Sequence, residues 1–391
     1  MIETPTASTF EPPPSPAVRG KWRLDDWLLV LCVGVLVGIG VVVLLSSTYV
    51  MDSTDVFSLL RRQMVWLFAS VLAFALALRI NLDAVREVVW YTVPIAVALC
   101  LMVFLPVIGR EINGTRRWLI LGPMRLQVAE VVKVVLIFLM AHYLSAYQRR
   151  LGTIVWGFLI PAAIIGGAFG LIMLQPDYGT AFLCATVSGI LLFLAGGRLV
   201  YWVPAGLLGL TGFSLLVWHN PERLSRVTSF LSLGDEAVRA DDGYQLWQGI
   251  LGFASGGSTG VGLGQGRQQL TYLPEAHTDF IFSIVGEEMG FVMTGFILLL
   301  FFAIFLIVNF KLKFAPTVYQ YLVVQGCLLF MLLQALINMG VVTGVLPTKG
   351  MSLPFISYGG SNLILMFFCV GVILNASRSW RGRNVKGEPA T

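Results

Sequence analysis

Long runs of apolar residues, separated by short polar segments, occupy most of the chain from residue 27 to residue 377. About twenty helical residues, at a rise of about 1.5 Å each, match the roughly 30 Å hydrocarbon layer of a bilayer. Helices suit these runs because lipid offers no partners to backbone donors and acceptors. The pattern predicts ten membrane-spanning helices, at residues 27–47, 63–80, 88–107, 128–146, 154–173, 178–196, 199–218, 280–309, 317–343 and 360–377.

Composition agrees with this interpretation. Of the 391 residues, 57% are hydrophobic and 12% are charged, whereas soluble domains carry roughly 25% charged residues. The five cysteines lie within apolar runs, and their spacing is not that of a metal site or a disulfide framework. The formal net charge of +5 is too small to indicate nucleic acid as a partner.

The distribution of Lys and Arg predicts the orientation. Placing both termini in the cytoplasm puts the larger share of these cations inside, and most outer cations fall in long loops near 108–127 and 219–279. Long loops are translocated largely regardless of charge. We therefore expect an all-α membrane protein, N-in and C-in, with a membrane domain over 25–377. Residues 1–24, rich in Pro, Thr and Ser, and residues 378–391 are predicted cytoplasmic tails, the first of them disordered and without a cleavable signal peptide.

A carboxylate lies where the second long loop meets the eighth predicted span. The segment LPEAHTDF, residues 273–280, contains His277 and Asp279. Partial desolvation at the water–lipid boundary makes a carboxylate more basic, so Asp279 is a candidate general base. A structural role is the alternative, because Thr278 or Asp279 could cap the following helix.

Four charged residues, Glu130, Lys133, Glu287 and Glu288, fall well inside predicted spans. Glu287 and Glu288 should face the bundle interior or a wet cavity, and they fit either a buried polar network or a functional cavity. Gln127, Glu130 and Lys133 lie mostly on one side of the fourth helix. Glu130 and Lys133 can form an ion pair there, which would make both tolerable in the membrane.

Arginines are concentrated in the outer loops. Arg116, Arg117 and Trp118 belong to one dense cationic segment, and Arg223 and Arg226 are separated by about one helical turn. A guanidinium donates two parallel hydrogen bonds to phosphate oxygens. The outer set therefore favours an anionic lipid headgroup over simple solvated surface charge.

Proline and glycine interrupt the apolar runs at three outer positions. In the segment QPDYGT, residues 175–180, Asp177 could cap the sixth span. Residues 346–361, which include Lys349 and Ser357, predict a shaped re-entrant loop or an irregular connection that brings Lys349 near the face of Asp279. The glycine-rich stretch 252–266 lacks a Walker pattern, which favours a flexible or close-packed loop over a phosphate-binding one.

Taken in order along the chain, these motifs resemble the SEDS family, the shape, elongation, division and sporulation polymerases. The resemblance covers roughly residues 27–377, and the segments PEAHTDF and PTKG are more similar to the division branch than to the elongation branch. Departures are small, since Tyr178 stands where Leu is common and Asn362 where Ser is common. The resemblance rests on the motifs Arg117-Trp118, Gln127, Glu130, Lys133, Gln175-Pro176-Asp177, residues 274–282 and residues 346–360.

The resemblance implies a ten-span fold and a peptidoglycan glycosyltransferase that polymerises lipid II and releases undecaprenyl diphosphate, with the essential aspartate at Asp279. It implies the inner membrane at the septum, a class B penicillin-binding transpeptidase (FtsI-like) and the divisome regulators FtsQ, FtsL and FtsB as partners. A divalent cation, Mg or Mn, stays open, as do a lipid II flippase, an elongation-type polymerase and a non-catalytic scaffold. The candidate substrate-binding residues are Arg116, Arg117, Trp118, Gln127, Glu130, Lys133, Asp177, Arg223, Arg226, His277, Lys349 and Ser357.

Overall fold

The structure is a computed structural model, which describes residues 20–51, 57–105, 109–112, 115–121, 124–241, 243–267 and 277–385. Most of the predicted N-terminal tail, residues 273–276 of the Asp279 segment and residues 386–391 lie outside this part of the chain. The helices are α1 Leu24–Met51, α2 Ser58–Ala77, α3 Leu82–Met102, α4 Val128–Ala146, α5 Ile160–Met173, α6 Tyr178–Leu194, α7 Leu199–Trp218, α8 Pro221–Leu231, α9 Glu236–Ala240, α10 Tyr244–Gly256, α11 Ile281–Leu312, α12 Val318–Val342 and α13 Gly360–Val385.

The predicted helical bundle is confirmed. Within the described ranges, nine helical segments are long and apolar enough to cross a membrane. The apolar helix α6, with 17 residues, is shorter and spans roughly 26 Å. The last helix continues beyond the predicted end at residue 377 because Trp380 is buried there and its indole donates to Gln320 Oε1 at 2.5 Å.

Two long loops contain more structure than the apolar pattern predicted. Residues 109–127 form a three-stranded antiparallel sheet of β1 Gly109–Ile112, β2 Thr115–Leu121 and β3 Met124–Gln127, in the order β1-β2-β3. In its register Trp118 lies opposite Gln127. The described part of the second loop contains α8, α9 and α10.

The centre of the bundle is formed by α4, α12 and α13, which are buried over most of their length, whereas α7 has no buried residue. Helix α13 lies close against α2, where a methyl group on Gly371 would lie 2.6 Å from Ala77 Cβ. At the end opposite the sheet, Gln320 Nε2 donates to Asp83 Oδ1 at 3.1 Å. The starts of α3 and α12 therefore meet at this end, as the predicted topology requires.

Helix α11 is interrupted at Gly290, whose φ of 75° and ψ of −175° are not helical. The glycine-rich segment 257–262 lies in the break and exchanges backbone hydrogen bonds with both sides of it. These bonds are Phe291 N to Gly257 O, Val292 N to Ser258 O, Val261 N to Glu287 O and Gly262 N to Glu288 O, with N–O distances of 2.9 to 3.2 Å.

This exchange explains why a broken helix is tolerated at the edge of a bilayer. In a continuous helix, residues 291 and 292 would donate to residues 287 and 288, and lipid could not replace those bonds. Four bonds to the glycine segment take the place of the two that are lost. The uninterrupted part, residues 291–312, is roughly 33 Å long and is sufficient to cross the hydrocarbon layer.

Candidate functional site

Charged side chains from separate parts of the chain meet at the end of the bundle that is predicted to face outward. They come from β2, the turn before α6, helix α8, and the connections that precede α11 and α13. We call Arg117, Asp177, Arg223, Lys349 and Asp279 the outer cluster. The cluster therefore joins residues that are up to 232 positions apart, from Arg117 to Lys349.

Asp279 is half-buried at the start of α11 and faces the connection between α12 and α13. Asn338 Nδ2 donates to the Asp279 carbonyl at 2.7 Å and to the Met351 carbonyl at 2.6 Å, which ties the two segments together. Gly350 makes room for the carboxylate, because a Cβ there would lie 2.5 Å from Asp279 Oδ2. The capping position of α11 is Phe280, so neither Thr278 nor Asp279 occupies it.

Asp177 is buried below the loop that carries Lys349. Its side chain caps α6, with Oδ1 accepting from Thr180 N at 3.2 Å and Oδ2 from Thr180 Oγ1 at 2.9 Å. Gln127 Nε2 also donates to Oδ2 at 3.0 Å, and Lys349 Nζ lies 3.8 Å from Oδ1. The predicted cap is confirmed, and the same carboxylate also forms an ion pair with Lys349.

The charges of the cluster shift one another's pKa. Burial alone would raise the pKa of the Asp177 carboxyl, but Lys349, Arg117 and the hydrogen bonds from Thr180 together hold that pKa below its ordinary value. Burial lowers the pKa of Lys349 to about 8; Asp177 opposes this shift, while Arg223, Arg117 and Arg226 add to it. The ammonium thus remains mostly charged at neutral pH but lies near its titration range.

Helix α8 places its arginines as their spacing predicted. Arg223 lies over the ring of Tyr178, with Cζ 3.5 Å from the ring centroid, and donates through Nη2 to the Pro176 carbonyl at 3.1 Å. Arg226 is one turn further along the helix and is exposed. By contrast, Arg116 is exposed and pairs with Glu111, at 3.4 Å, so no described contact connects it to the cluster.

A buried polar chain supports the cluster from below. Lys133 Nζ donates to Glu130 Oε1 at 2.9 Å, which confirms the predicted pair, and to Gln334 Oε1 at 3.0 Å. Gln334 Nε2 in turn donates to the Ser352 carbonyl at 2.9 Å. The ion pair in α4 is thus connected to the loop beside Asp279.

Glu287 and Glu288 contact the glycine-rich segment. Glu287 Oε1 accepts from the Arg267 amide at 2.7 Å, and Glu288 Oε1 accepts from Ser46 Oγ at 2.8 Å and from the Gly264 amide at 2.9 Å. Both residues are buried. Their contacts are those of the predicted buried network, and they form a clamp around the close-packed glycine segment.

The remaining candidates, Ser357, His277 and Trp118, lie in the segments around the outer cluster. Ser357 is buried and its hydroxyl accepts from the Leu353 amide at 2.7 Å, which closes a turn in the loop before α13. The His277 carbonyl accepts from the Tyr358 amide at 3.0 Å, and the two rings lie 5.8 Å apart. Trp118 is half-buried in β2. These contacts fix the backbone around Asp279.

Sequence reasoning missed two residues that hold the site, Gln334 and Asn338. They lie four residues apart in the apolar run of α12, hence on one face of the helix. Polar residues within a span usually face the protein interior. That spacing was the signal that could have identified them.

The arrangement suits chemistry on an anionic lipid substrate. The half-buried Asp279 carboxylate is a group that can accept a proton, and the cations of the outer cluster can bind a diphosphate. Among the residues that the structure describes, no group of three or more His, Cys, Asp or Glu side chains could hold a metal ion.

The chain is similar along most of its length to proteins of other bacteria. A probable peptidoglycan glycosyltransferase FtsW from Coxiella burnetii is 39% identical over 363 residues, which are 90% of this chain and 96% of that protein. The stage V sporulation protein E of Bacillus subtilis is 37% identical over 364 residues, which are 92% and 98% of the two chains.

Solved structures share the fold. One, described as showing structural coordination of polymerization and crosslinking by a peptidoglycan synthase complex, matches 92% of this chain and 99% of its own, with a TM-score of 0.74 and 28% identity. The rod shape determining protein RodA of Thermus thermophilus matches 91% and 98%, with a TM-score of 0.68 and 26% identity. The family model described as cell cycle protein, for FtsW, RodA and SpoVE, matches residues 26–382. The chain therefore belongs to the FtsW, RodA and SpoVE family of cell cycle proteins, the SEDS family that its motifs resemble.

Proposed function

We propose that the chain is a peptidoglycan glycosyltransferase that polymerises lipid II at the outer face of the cytoplasmic membrane during septal wall synthesis. The observation that carries this proposal is the position of the Asp279 carboxylate. It lies against Gly350, and Gly350 follows the cation Lys349 in the sequence. Relatives that are named as glycosyltransferases support it.

In the proposed reaction, Asp279 takes the proton from the acceptor sugar hydroxyl as its oxygen attacks the anomeric carbon of the donor. The new glycosidic C–O bond forms with inversion while the bond to the diphosphate breaks, and undecaprenyl diphosphate leaves with the electron pair. Asp279 then returns its proton to water. General-base catalysis of this kind contributes about 10²–10⁴-fold to the rate.

The leaving diphosphate gains negative charge, which nearby fixed cations stabilise. Lys349, Arg117 and Arg223 are the best placed, because they share the outer cluster, whereas Arg116 pairs with Glu111. A divalent cation carried by the diphosphate would belong to the substrate complex, and assays in EDTA with added Mg²⁺ or Mn²⁺ measure its contribution.

Septal synthesis also requires crosslinking of the new strands. The match to a chain of a peptidoglycan synthase complex supports a class B penicillin-binding transpeptidase as partner. The divisome regulators FtsQ, FtsL and FtsB, and a location in the inner membrane at the septum, belong to the same proposal.

The test is polymerisation of purified lipid II by purified wild-type protein and Asp279→Asn, with and without the transpeptidase. We expect the variant to lose about 10²-fold or more in rate while its thermal unfolding stays unchanged. Asp235→Asn is the matched control, since Asp235 is an exposed carboxylate in the same long loop.

Normal polymerisation by a folded Asp279→Asn protein would end the proposal. Supplying lipid II only on the outer side of vesicles distinguishes the alternatives, because a flippase or a scaffold would form no polymer there.

A further inference from the structure

The carboxylate of Asp177 is almost completely enclosed by protein. The residue is 3% exposed, and its oxygens accept hydrogen bonds from Thr180 and Gln127. A group so enclosed offers almost no surface to a sugar or a diphosphate. Asp177 therefore does not fit the role of a substrate-binding residue that the motif suggested.

Lys349 fits that role better, and Asp177 holds it in place. The Lys349 side chain is 22% exposed, and its Nζ lies 3.8 Å from Asp177 Oδ1. Its stem lies against Gly179, where a methyl group would overlap Lys349 Cε. One residue further along, Gly350 contacts the Asp279 carboxylate. The ammonium is thus held between an ion pair and a close backbone contact, beside the proposed base.

The surroundings otherwise oppose the charge of Lys349. Arg117 from β2 and Arg223 and Arg226 from α8 are positive, and burial also disfavours an ammonium. Asp177, at the start of α6, acts in the opposite direction and raises the Lys349 pKa. Asp279 approaches the same connection at Gly350. Without the carboxylate of Asp177, the neutral amine would become the favoured form at lower pH.

We infer that Asp177 is a positioning residue, which keeps the Lys349 ammonium charged and fixed against Gly179 so that it can stabilise the leaving diphosphate. The inference rests on the proposed function, because it assigns Lys349 to that diphosphate. It assigns different roles to the two segments: Lys349 contacts the substrate, and Asp177, besides capping α6, acts on the reaction through Lys349.

The first test measures the titration of Lys349 without any substrate. Competitive labelling with acetic anhydride across pH, read by mass spectrometry, gives the midpoint of each lysine, since only the neutral amine reacts. We expect a midpoint near pH 8 for wild type and one lower by about one unit or more for Asp177→Asn. Lys313, exposed in the connection after α11, is the internal control and should label identically in both proteins.

The second test measures lipid II polymerisation across pH. A lysine is charged below its pKa, so a lower pKa removes the charge at a lower pH. Asp177→Asn should therefore lose about fivefold or more at pH 8 and return to within about threefold of wild type at pH 6. A residue that only caps α6 would instead lower activity and thermal stability equally at both pH values.

A third variant, Gly179→Ala, displaces the Lys349 ammonium but keeps the charges of both Asp177 and Lys349. Gly179→Ala should lower polymerisation by about tenfold at both pH values, because the methyl group occupies the place of the lysine stem. Gly189→Ala is the matched control in the same helix, with nothing within 4 Å of the added carbon, and should keep full activity.

The outcomes separate the inference from the proposed function. An unchanged Lys349 midpoint in Asp177→Asn, or a fully active Gly179→Ala, overturns the inference. A wild-type protein that forms no polymer counts against the proposed function, and the labelling result does not depend on it.

Discussion

Lys133 shows how a single charged residue is accommodated in the middle of the bundle. It is 1% exposed, and an unpaired ammonium would be costly at this depth. Glu130 and Gln334 both accept from Nζ, and Gln334 extends the chain of contacts to the loop beside Asp279. A residue outside the outer cluster thus stabilises, through Gln334, the loop that contains Lys349.

We predict that Lys133→Met lowers the free energy of unfolding by about 3–5 kcal/mol, because it leaves Glu130 buried without its partner. The double variant Glu130→Gln with Lys133→Met should recover much of this loss, since no charge remains. Denaturant unfolding in detergent, followed by tryptophan fluorescence, measures both. Equal stability of the single and double variants would contradict the prediction.

Among the elements, α11 departs most from its simple description as a spanning helix. The break at Gly290 is filled by the segment 257–262, and the clamp of Glu287 and Glu288 closes around the same segment. The first turns of α11, which follow Asp279, are therefore held by contacts with the long loop as well as with α12.

Gly290→Val should cost about 3 kcal/mol or more, because a β-branched residue is strained at a φ of 75° and its Cβ would overlap the Gly260 amide. Gly206→Val in α7 is the control, since nothing lies within 4 Å of the added Cβ. Thermal unfolding of the two variants is the measurement. A Gly290→Val protein as stable as Gly206→Val would show that the break is not needed.

The same elements show how far the sequence could predict the fold. Apolar runs identified the bundle because length and hydropathy follow directly from the bilayer. The sheet over 109–127 was not predicted, because its strands of four to seven residues are too short to give a clear pattern. The break at Gly290 was not predicted, because the apolar run continues through it. Asp279, Lys349 and the pair of Glu130 and Lys133 were predicted, but the contact between Asp177 and Lys349 depends on long-range folding.

At the scale of the whole molecule, the two ends of the bundle differ in chemistry. The outer cluster lies at one end, and at the other Lys311 pairs with Asp25, at 2.6 Å, and with Asp26. The Gly20 amide donates to the Arg378 carbonyl at 3.1 Å, so the first and last helices are joined there. The charge bias predicts that this second end faces the cytoplasm.

Cysteine labelling tests that orientation. The five native cysteines are buried, which keeps the background low. In right-side-out vesicles, a membrane-impermeant maleimide should label Asp235→Cys at once and Arg149→Cys only after permeabilisation, since both positions are exposed at opposite ends. The reverse pattern would place the outer cluster in the cytoplasm and remove its access to an exported substrate.

The hydrogen bonds that fill the gap at Gly290 also decide where this protein can be recombined with its relatives. A chimera joined at residue 280, the apparent start of the helix, would separate the glycine segment from the carbonyls and carboxylates that hold it. A junction after residue 292 would transfer both partners together. Exchanges of the large outer loop should therefore include the first dozen residues of α11, and shorter exchanges should misfold next to Asp279.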